Sequence, residues 1–150
     1  MAETSGYVDA PLESVWAELC DGWGYSGWVV GTIKIRDVDP SWPGEGSKLH
    51  HAVGAWPLAL RDETEVSVCE ARRRLVLRAR GWPVGEAVID IALSEEASGT
   101  RVTLAEKPAA GPGAWVDNPV FDAVGKRRLV EMLDRFSRLV EGRRASGQLR

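Results

Sequence analysis

His50 and His51 are the only histidines in the chain, and no other side chain titrates near neutral pH without help from its surroundings. They sit in the stretch Ser47–Val53, which reads as a strand, so the two rings point to opposite faces. If Leu49 and Val53 face a core, His51 faces it too and His50 lies in water. On the next strand-like segment the inward set is Leu58, Leu60, Asp62, Thr64 and Val66, and Asp62 is an acid among apolar neighbours. A carboxylate beside an imidazole orients the ring, and a pair His51–Asp62 has the chemistry of a general base that removes an acidic C–H proton. The plainer alternative places Asp62 at a wet rim, or turned outward by a bulge, with His51 satisfied by a backbone carbonyl. Burying a lone polar group costs about 1–3 kcal/mol, which weighs toward that alternative.

Other chemistry-bearing residues fall into weaker patterns. Seven tryptophans are many for this length. Trp16 reads as core, and Trp42 and Trp82 as edge caps of the core. Trp28, Trp56 and Trp115 suit either a core edge or a pocket mouth that stacks on a planar ligand. Arg61, Arg78 and Arg80 have the geometry to clamp an acidic group, but the strand pairing below places them outside with Glu63, Glu65 and Asp90. Gly44-Glu45-Gly46 and Gly111-Pro112-Gly113 lack the Lys-Ser/Thr ending of a phosphate loop. Gly111–Trp115 reads instead as a lid near a cavity mouth. Cys20 and Cys69 show no metal-ligand spacing, and whether they pair is open, with two thiols in a reducing compartment the plainer case. No cofactor or metal is expected.

The balance of 19 basic and 22 acidic residues argues against a polyanion-binding role, so nucleic acid is not an expected partner. The first residues, Met1-Ala2-Glu3-Thr4-Ser5, lack a signal-peptide pattern, and no apolar run reaches the ~20 residues of a membrane helix. The expected location is the cytoplasm, without stable membrane insertion, as a monomer or homodimer.

The elements that must position these residues follow from periodicity. A strand is expected over Glu3–Val8 and a helix over Leu12–Cys20, started by Asp9-Ala10-Pro11, with Leu12, Val15, Trp16 and Leu19 on one side. Gly22–Trp28 mixes glycines and aromatics and reads as a loop or a short irregular helix. Six strands follow: Thr32–Val38, Ser47–Val53, Leu58–Val68, Arg74–Arg80, Glu86–Leu93 and Arg101–Glu106. Val116–Glu141 has helical periodicity, with Val120, Val124, Leu129, Leu133, Phe136 and Val140 as its apolar stripe and Arg127, Arg128 and Glu131 among its polar side. One domain over residues 1–144 and a frayed tail over 145–150 account for the chain. A turn near Ala71-Arg72 sets Glu65 opposite Arg78 and Glu63 opposite Arg80. A turn near Pro83–Gly85 sets Arg78 opposite Asp90 and Trp82 opposite Glu86. Opposite charges then share one face. Val66, Val68, Leu75, Leu77, Ile89, Ile91, Leu93, Val102 and Leu104 share the other.

One helix is about 10 Å wide, and six or seven strands at about 4.8 Å each are several times wider. The expected fold is therefore α+β, a curved antiparallel sheet of six to seven strands wrapped around a long C-terminal helix, with two short helices after the first strand. Such a sheet leaves a gap where an apolar molecule fits.

The order of elements resembles the START/Bet v 1-like (SRPBCC) superfamily and its polyketide cyclase/dehydrase-like group. The stretches that carry the resemblance are Val8–Trp16 at the first strand-to-helix junction, Tyr25-Ser26-Gly27-Trp28, the hairpin Glu70–Arg78, Gly99–Leu104, and Asn118-Pro119 before the last helix. These motifs are structural and hold no catalytic signature. The resemblance implies a helix-grip fold that binds a small hydrophobic or ketide-like molecule, with a cofactor-free cyclase or dehydrase reaction if it is an enzyme. The alternatives are a non-catalytic carrier of a lipid, quinone or sterol-like molecule, and a protein-interaction module with a filled cavity. The residues expected at the cavity are Trp28, Leu49, Val53, Trp56, Leu60, Thr64, Leu77, Ile89, Ile91, Trp115, Phe121 and Val124, with His51 and Asp62 as the proton-transfer pair.

Overall fold

The computed structural model describes residues 2–30, 32–53, 60–81, 85–110 and 119–145, with side chains for all of these except Ile33, Val53, Leu60, Arg61, Ala110, Val120, Phe121 and Arg144. The expectations for Trp56, Trp82 and Trp115, for the lid Gly111–Trp115, and for the side chains of Val53, Leu60, Arg61 and Phe121 lie outside the described residues.

The chain runs β1 (Ala2–Val8), α1 (Leu12–Cys20), a 3-10 helix (Gly22–Gly27), β2 (Thr32–Val38), β3 (Lys48–Val53), β4 (Leu60–Glu70), β5 (Arg74–Gly81), β6 (Gly85–Glu96), β7 (Gly99–Ala110) and α2 (Pro119–Ala145). The strands form one antiparallel sheet in the order β1-β7-β6-β5-β4-β3-β2, so every neighbour after β1 is a hairpin partner and β1 closes on the last strand. The expected architecture, a seven-stranded sheet around a long C-terminal helix, is what forms.

The inner face carries Val66, Leu75, Leu77, Ile89, Ile91, Leu93, Val102 and Leu104, all buried in one core with Leu129, Met132, Leu133, Phe136 and Val140 of α2. The inner positions of β1 are small for a reason. A Cβ added at Gly6 would stand 2.8 Å from Leu133 Cδ2, and one added at Gly125 of α2 would meet the Ala2 methyl at 3.3 Å. Small residues there let α2 lie close on β1, and α2 packs on β1 and β7 rather than across the middle of the sheet. At its C-terminal half α2 meets α1 and the 3-10 helix: Glu141 accepts from the Asp9 N–H at 3.0 Å, and Arg143 pairs with Glu18 of α1 at 2.8 Å.

Three expectations are corrected. Glu65 does stand opposite Arg78, and Arg80 reaches Glu63 at 3.4 Å, but the next hairpin turns one residue earlier than expected, which shifts its register by two. Arg78 faces Val88 and Gly81 faces Gly85. Arg78 therefore pairs with Glu86, and Asp90 pairs with Arg74 at 2.6 Å. A slip of two residues leaves every side chain on its expected face, which is why the charge pattern survives it. Val68 is not on the core face. A bulge between Val66 and Val68 reverses the alternation, so Val68 pairs with Val76 and Cys69, opposite Leu75, packs against the core. Val124 is 61% exposed. It lies five residues before Leu129, about 140° around a helix of 3.6 residues per turn, and so leaves the stripe that Leu129 begins.

Candidate functional site

Rows of inward side chains run across the sheet, and their size falls from one end to the other. The row Leu75–Ile91–Leu104 is large throughout, and the next, Leu77–Ile89–Glu106, ends in a carboxylate. The row beyond it is Leu49–Thr64–Ala79–Ala87, where each residue is the cross-strand partner of the next. Leu49 and Thr64 are fully buried, whereas Ala79 and Ala87 are half-buried despite their size.

At the large-residue end the interior is solid. Leu19, Trp28, Ile91, Val102, Leu104, Leu133 and Phe136 pack so closely that no water-sized space remains between them. Trp28 and Phe136 meet edge to face with centroids 5.1 Å apart. No water-sized hollow lies between the sheet and α2 at this level, where Trp28 and Ile91, expected at the cavity, pack with Leu104, Leu133 and Phe136. The tryptophan ring and the α2 side chains together are wide enough to fill the curve of the sheet at this level.

His51 lies at the small-residue end. It is 3% exposed, faces Ile35 on β2 and Asp62 on β4, and places Nε2 2.8 Å from Thr64 Oγ1. Its Nδ1 is buried with no hydrogen-bond partner among the described residues. Burial lowers the pKa of His51 from its ordinary value; the charge of Asp62 opposes this and that of Arg36 adds to it. The ring is consequently neutral at neutral pH and its partner through Nε2 is a hydroxyl, with the tautomer set by which of the two donates. Asp62, the expected orienting acid, is the direct cross-strand neighbour of His51 rather than a diagonal one. It is half-buried, and its Oδ1 accepts from the Glu63 N–H at 2.8 Å. It acts on His51 through its field. His50 points to the outer face, 3.3 Å from Asp39 and 3.9 Å from Glu63.

Three polar features of the interior escape sequence reading. Arg128, placed by periodicity on the polar side of α2, turns inward, donates from Nε to the Val30 carbonyl at 3.1 Å, and forms an ion pair with Glu106. Glu18 is buried on α1, where desolvation raises its pKa and Arg143 opposes the rise. Tyr25 is buried within an aromatic cluster, and burial pushes its hydroxyl pKa far up, so it stays protonated. Neither Tyr25 Oη nor Trp28 Nε1 has a hydrogen-bond partner among the described residues, and a buried polar group left unpaired costs about 1–3 kcal/mol. The only signal for these in the sequence is the aromatic density of Trp23–Trp28. Cys20 and Cys69 are both free thiols. No helix among the described residues is long and apolar enough to cross a membrane.

No protein-family model and no curated protein matches the chain. Solved structures do match in fold. DynU16, a protein of the dynemicin biosynthetic locus, aligns at a TM-score of 0.67 and 22% identity over 93% of this chain and 46% of its own, so this chain spans under half of DynU16. CalU16 from Micromonospora echinospora aligns at 0.64 and 18% identity over 92% of this chain and 74% of that one. Ara h 8.0201 aligns at 0.70 and 10% identity over 93% and 96%. The chain shares with these structures its fold, a curved seven-stranded antiparallel sheet with a long C-terminal helix, as expected.

Proposed function

We propose that the chain binds a small apolar organic molecule of ketide-like shape on the inner face of the sheet, over the row Thr64–Ala79–Ala87 and beside His51. The observation that carries this reading is the change in side-chain size along β4, β5 and β6. Bulk that fills the interior at Phe136 gives way to two alanines that solvent reaches, with a buried imidazole as neighbour. A pocket built that way is apolar with few polar groups, which is the general character of small-molecule sites. The resemblance of the element order to the polyketide cyclase/dehydrase-like group is what suggests a ketide-like ligand, and DynU16, which shares the fold, comes from a biosynthetic locus. Should turnover accompany binding, the neutral His51 is the group able to take up a proton, held by Thr64 and biased by Asp62. His51→Gln then keeps binding and loses turnover, whereas a carrier of lipid, quinone or sterol-like molecules is indifferent to that change.

The test is to place bulk in the row. Two-ring apolar probes titrated against the protein are read by tryptophan fluorescence and calorimetry. Ala79→Leu is expected to weaken binding at least about tenfold, while Val88→Leu on the outer face leaves it unchanged. Equal binding by Ala79→Leu and the parent chain places any ligand elsewhere. The solid Phe136 end favours a second reading, a filled interior in a protein-interaction module, and that reading gains if no probe binds the parent chain.

A further inference from the structure

Arg36 sits at a break in the ladder between β2 and β3. Ile35 faces His51 and Asp37 faces His50, so Arg36 is one residue too many and has no cross-strand partner in that register. A bulge of this kind interrupts the ladder bonds of the strand beside it. The Arg36 side chain supplies two bonds of its own. Its Nε donates to the His51 carbonyl at 3.3 Å, and its Nη2 donates to the Asp62 carbonyl at 3.3 Å. One guanidinium thereby ties β2 to both β3 and β4, at the level where His51 and Asp62 face each other. A planar fork serves two acceptors at once, which the single ammonium of a lysine does not do in the same geometry. At the other end of the side chain, His51 Nε2 meets Thr64 Oγ1 at 2.8 Å. His51 is therefore held twice, by its backbone through Arg36 and by its ring through Thr64.

We infer that Arg36 is a positioning residue for His51: it fixes the backbones of the His51–Asp62 pair and sets a positive charge against the Asp62 carboxylate. The inference rests on the reading above, in which a neutral His51 lies beside the bound molecule. An acid next to an imidazole favours the charged ring. An imidazolium takes up no further proton and is costly beside an apolar pocket. Burial is the main cause of the lowered pKa of His51; the charges of Arg36 and His50 add to it, whereas the Asp62 charge and the Glu63 carbonyl oppose it. Of these groups, Arg36 is the one that also bonds to the backbones of both His51 and Asp62. It keeps the acid close without letting the acid charge the ring.

The test follows the His51 ring nitrogens by NMR across pH, in ligand-free protein labelled with nitrogen-15 histidine. The parent chain is compared with Arg36→Met and Arg36→Lys, and melting temperatures are taken alongside. Loss of the charge in Arg36→Met is expected to raise the proton affinity of His51 at least about twofold, the scale of one charge acting through partly wet surroundings. Arg36→Lys keeps the charge and loses the fork. Its His51 midpoint is expected to stay with the parent, while the Nε2 signal moves as the bond to Thr64 loosens. A midpoint that stays parental in Arg36→Met, or an Nε2 signal that stays parental in Arg36→Lys, overturns the inference, and a lower melting temperature beside it assigns Arg36 to stability alone. If Arg36→Met does not fold, Arg36→Lys decides: a displaced Nε2 signal supports the inference and a parental one overturns it. No ligand enters this experiment, so the binding reading stands or falls separately, on the two-ring probes.

Discussion

The two ends of the interior use the same strands and the same alternation, and they differ in what the inward residues are. At the Phe136 end, Leu75, Ile91 and Leu104 face Leu133 and Phe136, and with Trp28 they leave no space for water. At the His51 end, the facing positions of β4, β5 and β6 are Thr64, Ala79 and Ala87, and the buried groups include an imidazole and a hydroxyl. The helix makes the same division. It is seated on β1 and β7, where Gly6 and Ala2 admit it. Tight packing and the proposed binding row therefore fall on different stretches of the same strands, and side-chain size is what separates the two.

The sharpest way to break this comparison is at the solid end. Phe136→Ala is expected to destabilise the fold by about 3–5 kcal/mol in urea or guanidinium unfolding, the usual cost of an aromatic deleted from a packed core. A loss below about 1 kcal/mol would mean the end is not packed as described. Next in size is the ion pair at the boundary. Arg128→Met leaves Glu106 facing the interior without its partner; both side chains keep some exposure, at 31% and 18%. The expected cost is about 1–3 kcal/mol rather than that of a fully buried pair. Adding Glu106→Gln to the same chain should recover part of it, and a double-mutant cycle measures the coupling.

Adding atoms distinguishes the ends more finely. Gly6→Ala pushes a methyl toward Leu133 and should cost about 1–2 kcal/mol of stability. Ala79→Leu, larger by three carbons, should cost less than about 1 kcal/mol and show its effect in ligand affinity. If Ala79→Leu proves the more destabilising, the His51 end is packed too.

The smallest expected effect is in pH. The folded pKa of His51 is depressed by burial, so above the ordinary value near 6.5 both states are neutral and the fold loses nothing. As pH falls through that value the unfolded chain takes up a proton that the folded chain does not, and stability declines toward the folded pKa. Glu18 has the opposite sign: its folded pKa is raised, so its contribution is full below the ordinary carboxylate value and is lost as pH rises through the folded one. Unfolding midpoints at pH 7 and 5.5 should therefore fall less in His51→Gln than in the parent chain. An equal fall assigns the acid sensitivity to other groups.

The element types and their facing were legible because alternation is a local property. Glu65 stands against Arg78 because two departures from the expected hairpin cancel: the turn runs over Ala71–Arg73 rather than Ala71-Arg72, and the bulge between Val66 and Val68 restores the expected register beyond it. At Arg78 the pairing shifted by two because the turn sits one residue earlier than expected, and where a bulge interrupts β4 the assignment of Val68 failed, because neither the exact place of a turn nor a bulge is written in polarity. His51 and Thr64 as inward residues were legible for the same reason. Arg128 and Glu106 were not, since Arg128 joins β7 through Glu106 and also holds the Val30 carbonyl, 98 residues away in the chain. Charge on a helix reads as solvated until the strand it crosses is known. Val124 shows the reverse error, an apolar residue whose phase on the helix, rather than its type, decides its exposure.

The seat of α2 on β1 also has a consequence during synthesis. β1 leaves the ribosome before the other strands, yet its strand partner among the described residues is β7, and its covering helix follows later still. Until then its backbone edge and the inner positions from Ala2 to Val8 have nothing to pair with, and the hairpins from β2 to β7 must assemble around an idle first strand. Folding of this domain is thus closed by the pairing of β1 with β7 and α2, a long-range step that slows the last stage and exposes an unpaired edge to other nascent chains in the meantime.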